Sequence, residues 1–295
     1  MNVNDVVIIG AGPAGLGTAI QLKRYGIELI LLEKEKVGGL LRNANLVENY
    51  PGFPSGIPGT ELIKLFKKQI HNVGIKIKFE EVLELDNKKG VFIIHTTQRK
   101  IFSRIVVIAS GTKPRKLSNL NISKDFENRI FYEVYPLAQV ANEKIAIIGA
   151  GDAAFDYALN LSKKNEVMIL NRESRVKCLP ILFKKVMENE RISYLENIQV
   201  KNIECSNGNL TLTCYDSTVE QEICVSYLLV AIGRDPSLDF LSENLKENLE
   251  KLQKLKVLHI IGDVKNDIYR QTAIAVGDGI KAAMEIYSKL KEGNL

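Results

Sequence analysis

Two glycine-rich turns, each placed directly after a short apolar strand, constrain this chain more than any other feature. The first turn is GAGPAG at residues 10–15, after DVVII, and the second is GAGDAA at residues 149–154, after KIAII. Such a turn leads a strand into a helix whose N-terminus faces the pyrophosphate of a dinucleotide. The pattern therefore predicts two dinucleotide-binding folds in one chain of 295 residues.

The first turn has each glycine where such a fold needs one. Gly10 allows the tight turn, Gly12 lets the backbone approach a pyrophosphate, and Gly15 lets the helix pack close to the strand. The second strand ends at Glu33, where a carboxylate can accept hydrogen bonds from a ribose diol. The predicted binding residues here are Gly10, Gly12, Pro13, Ala14, Gly15, Glu33 and Lys34.

The second turn favours a different nucleotide. Its second strand ends at Asn171 in place of an acid, and Arg172, Arg175 and Lys177 follow. Because arginines pair with a 2′-phosphate that a carboxylate would repel, the cluster favours NADP(H) over NAD(H). A solvated basic turn is the alternative, since Glu173 lies within the cluster. The predicted nucleotide-binding residues are Gly149, Gly151, Asp152, Ala153, Ala154, Arg172, Arg175 and Lys177, for NADPH or alternatively NADH.

Two similar apolar strands place the second fold inside the first. KIFSRIVVIASGTKPR leads out of the first fold, and SYLLVAIGRDPS leads out of the second. The strand in VLHIIGDVKND and the helical pattern after it then return to the first fold. We therefore predict an α/β protein of two Rossmann-like, three-layer ββα domains, the second inserted in the first. The first domain would comprise 1–112 and 236–295, and the second 113–235.

Composition and charge exclude several classes of function. Hydrophobic residues make up 45% of the chain, yet no apolar run approaches the roughly 20 residues that span a bilayer. The net charge of +5 comes from scattered lysines, so we expect no nucleic-acid partner, although such a charge would suit an acidic protein partner. The start of the sequence has no signal-peptide pattern. We expect a cytoplasmic protein without membrane association.

The cysteines show no pattern of paired or metal-binding thiols. Cys178, Cys205, Cys214 and Cys224 form neither a Cys-x-x-Cys pair nor metal-ligand spacing. We expect them to act as small apolar residues, and we expect no bound metal.

The order of these motifs resembles the low-molecular-weight thioredoxin reductase family and its flavin reductase relatives. Besides the two turns, the matching stretches are VENYPGFPSGIPGTEL, SGTKPR and GDVKNDIYRQTAIAVGDG. The resemblance covers nearly the whole chain. It implies FAD in the first domain, a pyridine nucleotide in the second and a homodimer.

The resemblance also implies roles for individual residues. Asp263 would bind the ribityl and pyrophosphate region of FAD, while Arg270 and Gln271 would lie against the flavin ring. A positive charge at the pyrimidine edge stabilises the anion formed when the flavin is reduced, although Arg270 would alternatively be an exposed loop arginine. The further cofactor-binding residues are Gly38, Gly39, Leu40, Leu41, Asn49, Ser110, Gly111, Gly262 and Thr272.

The chain departs from the family at its redox-active cysteines. Thioredoxin reductases of this type carry Cys-x-x-Cys where this chain has Tyr132, Glu133, Val134 and Tyr135. Without a paired thiolate, the usual disulfide exchange is chemically unavailable. The tyrosines would stack on the flavin, fill the space of the cysteines or lie on the surface. The 2′-phosphate pattern His-Arg-Arg-x-x-x-Arg also keeps only two basic positions, Arg172 and Lys177.

These features favour an enzyme that passes electrons from NADPH through FAD to ferredoxin or flavodoxin. GAGDAAFDYALNL resembles the matching stretch of thioredoxin-reductase-like ferredoxin or flavodoxin NADP reductases, which also lack the dithiol. The flavin itself would be the catalytic group, so no side chain is predicted to act as acid, base or nucleophile. The alternatives are an NAD(P)H oxidase or diaphorase that uses oxygen or quinones, and a non-catalytic redox sensor.

Overall fold

The computed structural model describes residues 3–117, 124–206, 208–216 and 219–292. The chain forms two compact units. Unit 1 contains residues 1–42, 47–113 and 235–295, and unit 2 contains residues 43–46 and 114–234. One unit is thus inserted in the chain of the other, as the sequence predicts.

The first stretch of unit 1 begins with the predicted strand, helix and strand. The apolar strand β1 is followed by a helix with proline at its first position, where the missing N–H costs no hydrogen bond. The elements are β1 (Val3–Ile9), α1 (Pro13–Arg24), β2 (Leu29–Glu33), α2 (Gly59–Asn72), β3 (Ile77–Phe79), β4 (Val82–Lys88), β5 (Val91–Thr96), β6 (Lys100–Ile108) and β7 (Thr112–Pro114).

Unit 2 repeats the strand–helix–strand order and then adds a run of antiparallel strands. Its elements are β8 (Ile130–Phe131), β9 (Lys144–Ile148), α3 (Asp152–Leu161), β10 (Glu166–Leu170), α4 (Pro180–Met187), β11 (Ile192–Leu195), β12 (Ile198–Ser206), β13 (Asn209–Asp216), β14 (Val219–Val225) and β15 (Tyr227–Val230).

The chain then completes unit 1. The last elements are β16 (Arg234–Pro236), α5 (Glu243–Lys254), β17 (Leu258–Ile260) and α6 (Thr272–Lys291). Helix α5 begins at a serine cap, because the Ser242 side chain accepts a hydrogen bond from the Leu245 N–H at 3.1 Å. The short strands β7 and β16 pair with each other. None of the helices in the described ranges is long and apolar enough to cross a membrane.

The main sheet of unit 1 places the first glycine turn at the end of a central strand. Its order is β3-β2-β1-β6-β5-β4, and β1 pairs in parallel with both β2 and β6. Strand β6 pairs antiparallel with β5 over its first half and parallel with β17 over its second half. The carboxyl ends of β1, β6 and β17 therefore lie side by side, which is where ligands bind in such sheets.

Both faces of this sheet are covered. Val7 and Ile9 join a buried cluster with Phe92 of the β4–β5 hairpin and Leu245 of α5. Ile8, which points to the opposite face of β1, is also fully buried. Helices α1 and α6 pack so closely that a Cβ atom added at Gly279 would lie 2.2 Å from the Ala14 carbonyl oxygen.

Unit 2 has three layers. Its parallel sheet has the order β11-β10-β9-β15-β8, and a separate antiparallel sheet contains β12, β13 and β14. Ile145 and Ile147 of β9 pack with Phe155 of α3 in one buried cluster, whereas Ala146 packs with Leu212 of β13 in another. The parallel sheet is thus enclosed by helices on one face and by antiparallel strands on the other, which confirms the predicted ββα arrangement.

Candidate functional site

The first glycine turn of unit 1 is shaped by two close backbone approaches. Gly10 has φ of +104°, and a Cβ atom there would lie 2.4 Å from the Ala109 carbonyl oxygen at the end of β6. A Cβ atom at Gly15 would lie 1.9 Å from the carbonyl oxygen of Gly10. These two glycines are therefore required by the fold itself, because any side chain would collide with backbone.

Gly12 differs because the protein leaves space beside it. The nearest heavy atom to a Cβ atom at Gly12 is the Cα atom of Gly39, at 3.9 Å. Gly39 has φ of +53°, and the preceding Gly38 N–H donates to the Ala11 carbonyl oxygen at 2.8 Å. Helix α1 starts here, and no described side chain caps its N-terminus. The free N–H groups and the gap between the glycines fit a pyrophosphate.

Glu33 lies beside the same turn. Its side chain is 8% exposed, and one carboxylate oxygen accepts the Ala11 N–H at 2.8 Å. The other oxygen accepts the Glu35 N–H at 3.0 Å. These two hydrogen bonds hold the carboxylate in place. Because each oxygen can accept a further hydrogen bond, the carboxylate can still bind a ribose diol.

The loop after β17 lies against the start of α1. Gly262 has φ of +74°, and a Cβ atom there would lie 2.8 Å from the Ala14 Cβ atom. A carboxylate oxygen of Asp278, on α6, accepts hydrogen bonds from the Gly262 N–H at 3.1 Å and from the Asn266 side chain at 2.6 Å. Asp278 thus fixes the loop that carries Asp263. Asp278 is not among the residues predicted from the sequence, although an acid inside the GDG stretch of a helix was a usable signal.

Two residues assigned to the flavin region from distant parts of the sequence come together. The Asn49 side-chain amide donates to the side-chain oxygen of Gln271 at 2.8 Å. Gln271 is the residue that precedes α6, and Thr272 is the first residue of that helix. Arg270 is partly buried next to them. These side chains lie beside the N-terminus of α6.

The other residues assigned to unit 1 occupy varied surroundings. Leu41 is 5% exposed and Leu40 is partly buried, in the 3-10 helix Gly39–Asn43. Lys34 is exposed. Ser110 and Gly111 both bind the main chain of Ser237, through the Ser110 hydroxyl at 2.7 Å and the Gly111 carbonyl oxygen at 3.0 Å. The contacts of Ser110 and Gly111 thus join two distant parts of the chain.

In the glycine turn of unit 2, as in that of unit 1, close backbone contact requires one glycine and open space lies beside another. Gly149 has φ of +132°, and a Cβ atom there would lie 2.3 Å from the Ala231 carbonyl oxygen, so the fold requires this glycine. A Cβ atom at Gly151 would meet no described heavy atom within 4 Å. Ala154 stands in place of a third glycine, and it is fully buried. The open space at Gly151 lies at the N-terminus of α3, where backbone N–H groups can bind phosphate.

A connecting segment borders this turn. The Lys177 N–H donates to the Ala150 carbonyl oxygen at 3.1 Å, and the Leu179 N–H donates to the Asp152 carboxylate at 2.7 Å. Asp152 and Ala153 are exposed at the start of α3. The backbone pairing therefore brings the basic stretch that ends at Lys177 next to the glycine turn, although the two are far apart in the sequence.

Asn171 faces inward and organises the basic stretch. Its side chain is 5% exposed. The amide donates to the Tyr194 hydroxyl at 2.9 Å and to the Arg175 carbonyl oxygen at 3.2 Å, while the amide oxygen accepts the Glu173 N–H at 3.2 Å. Asn171 thus holds the turn together, and the side chains of Arg172 and Arg175 extend to the surface.

The position of the missing cysteine pair is occupied by an ion pair. One carboxylate oxygen of Glu133 lies 2.7 Å from the Arg234 guanidinium, and the other accepts a hydrogen bond from Asn43. The Asn43 side-chain oxygen in turn accepts the Tyr135 N–H at 3.1 Å. Tyr132 packs against a buried cluster of unit 2, and Tyr135 is 41% exposed. Asn43 and Arg234 carry no motif by which sequence analysis would have found them.

The cysteines whose side chains are described, Cys178, Cys214 and Cys224, are free thiols, and the side chain of Cys205 lies outside that part of the structure. Burial, and secondly the Asp152 carboxylate, raises the pKa of Cys178. Burial raises the pKa of Cys214 to about 11. Both thiols are therefore protonated at neutral pH, whereas exchange chemistry needs a thiolate.

Comparisons with known proteins agree with this geometry. The family model for pyridine nucleotide-disulphide oxidoreductases matches residues 4–280. The thioredoxin reductase of Borreliella burgdorferi is 29% identical over 303 residues, and the match covers 98% of this chain and 93% of that protein. The thioredoxin reductase of Rickettsia typhi is 30% identical over 302 residues, covering 95% of this chain and 96% of that protein.

A solved structure matches over the same length. The crystal structure of Lactococcus lactis thioredoxin reductase is similar with a TM-score of 0.86 and 25% identity, and the match covers 98% of this chain and 99% of that one. Since the family model and these relatives extend over nearly the whole chain, the protein belongs to the pyridine nucleotide-disulphide oxidoreductase family and is thioredoxin reductase-like.

Proposed function

We propose that this protein is an FAD-dependent oxidoreductase that passes electrons from NADPH to a separate acceptor without a redox-active disulfide. The family to which it belongs uses FAD and NADPH. Bound FAD would supply the redox chemistry, since a flavin accepts an electron pair from a nicotinamide and releases it to other acceptors. We propose that unit 1 is the FAD-binding domain and that unit 2 is the NADPH-binding domain.

The residues of unit 1 would bind and orient the cofactor. The N–H groups at the start of α1 and the gap at Gly12 would hold the pyrophosphate, and Glu33 would accept hydrogen bonds from the ribose. Asp263 would bind the ribityl and pyrophosphate region. The positive charge of Arg270 would stabilise the negative charge that develops on reduction, and Gln271 would contribute hydrogen bonds at the same place.

The observation that carries the proposal is the replacement of the cysteine pair. Glu133 stands inside the four-residue stretch that would hold the thiols, and its carboxylate is paired with Arg234 at 2.7 Å. A carboxylate cannot relay an electron pair to a disulfide, so thiol exchange through this stretch is chemically excluded. We therefore propose that electrons leave the flavin directly. Ferredoxin or flavodoxin is the acceptor class that we propose, because such carriers take up single electrons without a thiol.

A second candidate comes from the names of the relatives. Both curated relatives above are thioredoxin reductases, which favours a thioredoxin-like protein as partner. This function would require a disulfide-reducing thiol elsewhere in the chain. The raised pKa values of Cys178 and Cys214 weigh against either of them serving as that thiol.

We also propose that the protein acts as a homodimer formed through unit 1. Ile268 and Tyr269 are 77% and 68% exposed, and on α6 the side chains of Ile274, Ile280 and Met284 are 40%, 39% and 52% exposed. Exposed apolar side chains such as these would contribute apolar area to an interface between two copies of unit 1.

Anaerobic acceptor assays test the proposed function. Protein reduced with NADPH is mixed with ferredoxin, flavodoxin, thioredoxin or oxygen, and reappearance of the flavin absorbance is followed. We expect rapid reoxidation by ferredoxin or flavodoxin and slow reoxidation by oxygen. As a control, alkylation of the thiols beforehand should leave the rate unchanged. Reoxidation by thioredoxin that alkylation abolishes would contradict the proposal, and rapid reoxidation by oxygen alone would identify an oxidase.

A further inference from the structure

The basic stretch after β10 contains its own counter-ion. The two carboxylate oxygens of Glu173 contact different cations: one lies 3.2 Å from Nε of Arg172, and the other lies 3.2 Å from Nζ of Lys177. Arg175 makes no ion pair with any carboxylate in the described part of the chain. Two of the three basic residues that sequence analysis assigned to a 2′-phosphate are therefore already paired.

The position of Glu173 is built into the turn. Its backbone N–H donates to the buried side chain of Asn171 at 3.2 Å, and Asn171 is itself bound to the Tyr194 hydroxyl. The hydrogen bond and charge of Lys177, and secondly Arg172, lower the pKa of the Glu173 carboxyl. The side chain therefore carries its negative charge throughout the neutral pH range.

We propose that Glu173 is a specificity-determining residue that stands in for the 2′-phosphate and so reduces the preference for NADPH over NADH. The inference rests on the proposed function, in which unit 2 binds a nicotinamide nucleotide. A phosphate monoester carries between one and two negative charges near neutral pH and seeks the same cations as the carboxylate. NADPH must therefore displace Glu173 from Arg172 and Lys177, whereas NADH binds without disturbing these pairs.

The charges around Glu173 predict how its replacement would change the affinity for a 2′-phosphate. Arg172, Arg175 and Lys177 give three positive charges, and Glu173 offsets one of them. Replacing the carboxylate by an amide of the same shape releases two cations and removes a repulsive charge within reach of the phosphate. Phosphate binding should strengthen, whereas binding of a nucleotide without a 2′-phosphate should hardly change.

The test compares two ligands that have no redox chemistry. Binding of 2′,5′-ADP and of ADP to the FAD-loaded protein is measured by calorimetry for the wild type and for Glu173→Gln. We expect the substitution to tighten 2′,5′-ADP binding by about tenfold and to change ADP binding by less than about twofold. The matched control is Glu188→Gln, which removes another surface glutamate of unit 2, one that lies 3.8 Å from Lys184. This control should change neither affinity.

Each other outcome overturns the inference. Equal 2′,5′-ADP affinity in the wild type and Glu173→Gln would show that the carboxylate does not compete with the phosphate. An equal gain in ADP affinity would show a general effect of charge. Failure of both ligands to bind would show that this stretch does not bind the nucleotide. Reduction of the bound flavin by NADPH, measured separately, shows whether the proposed function survives such a failure.

Discussion

Replacing Gly12 with alanine should give a folded protein that has largely lost FAD. The added Cβ atom would lie 3.9 Å from the nearest protein atom, so the apoprotein has room for it. The same methyl group would fill the gap between Gly12 and Gly39 into which a pyrophosphate fits. From the usual cost of forcing an extra methyl group into a packed contact, we expect FAD affinity to fall by roughly one to two orders of magnitude. Fluorescence titration of the apoprotein with FAD measures this loss.

The matched control for this variant is Gly277→Ala. Gly277 lies in α6 of the same unit, and a Cβ atom there meets no described heavy atom within 4 Å. Alanine should be tolerated or slightly stabilising in a helix, with FAD affinity unchanged. Normal FAD binding by the Gly12 variant would contradict the assignment of this turn to the cofactor. A large loss of apoprotein stability would instead show that the substitution acts on folding and not on the contact with FAD.

Replacing Gly151 with alanine should separate the two nucleotide sites. The Cβ atom would meet no described heavy atom within 4 Å, so unit 2 should fold normally and unit 1 should keep its FAD. The methyl group would occupy the space in front of the N-terminus of α3, where the pyrophosphate of NADPH is expected. We expect the affinity for NADPH to fall by roughly one to two orders of magnitude, measured as the concentration dependence of anaerobic flavin reduction.

Chemical reduction supplies the control for this second variant. Dithionite should reduce the flavin of Gly151→Ala as completely as that of the wild type, because it does not need unit 2. If NADPH reduced the variant normally, the second glycine turn would not be the site through which electrons enter. If dithionite reduction also failed, the substitution would have damaged the flavin site.

The sequence was most informative where backbone geometry restricts the residue type. Gly10, Gly15 and Gly149 are recognisable because a side chain at each would collide with a carbonyl oxygen. The apolar strands that precede the turns are recognisable because β1 and β9 are buried on both faces. These two constraints were sufficient to predict the α/β class and the two Rossmann-like folds, whereas the insertion was predicted from the apolar strands that leave each fold and the strand that returns to the first.

What the sequence did not reveal are contacts between polar side chains that are distant in the chain. Asp278 holds the Gly262 loop from a helix 16 residues further on, and the GDG stretch marks the acid without showing which N–H group it contacts. The binding of Asn43 to Glu133 joins residues 90 positions apart. Asn171 resembled a substitute for the ribose-binding acid, yet its amide is turned inward to Tyr194. Such contacts depend on side-chain direction, which a pattern of residue types does not encode.

The number of electrons that the protein takes up tests the central claim most directly. In an anaerobic titration with NADPH, a flavin with no thiol relay should be fully reduced by about one NADPH per FAD, with no further uptake. A flavoprotein with a redox-active disulfide takes up a second electron pair. We therefore predict an end point at one equivalent. An end point at two equivalents, or a flavin that stays oxidised with excess NADPH, would contradict the account.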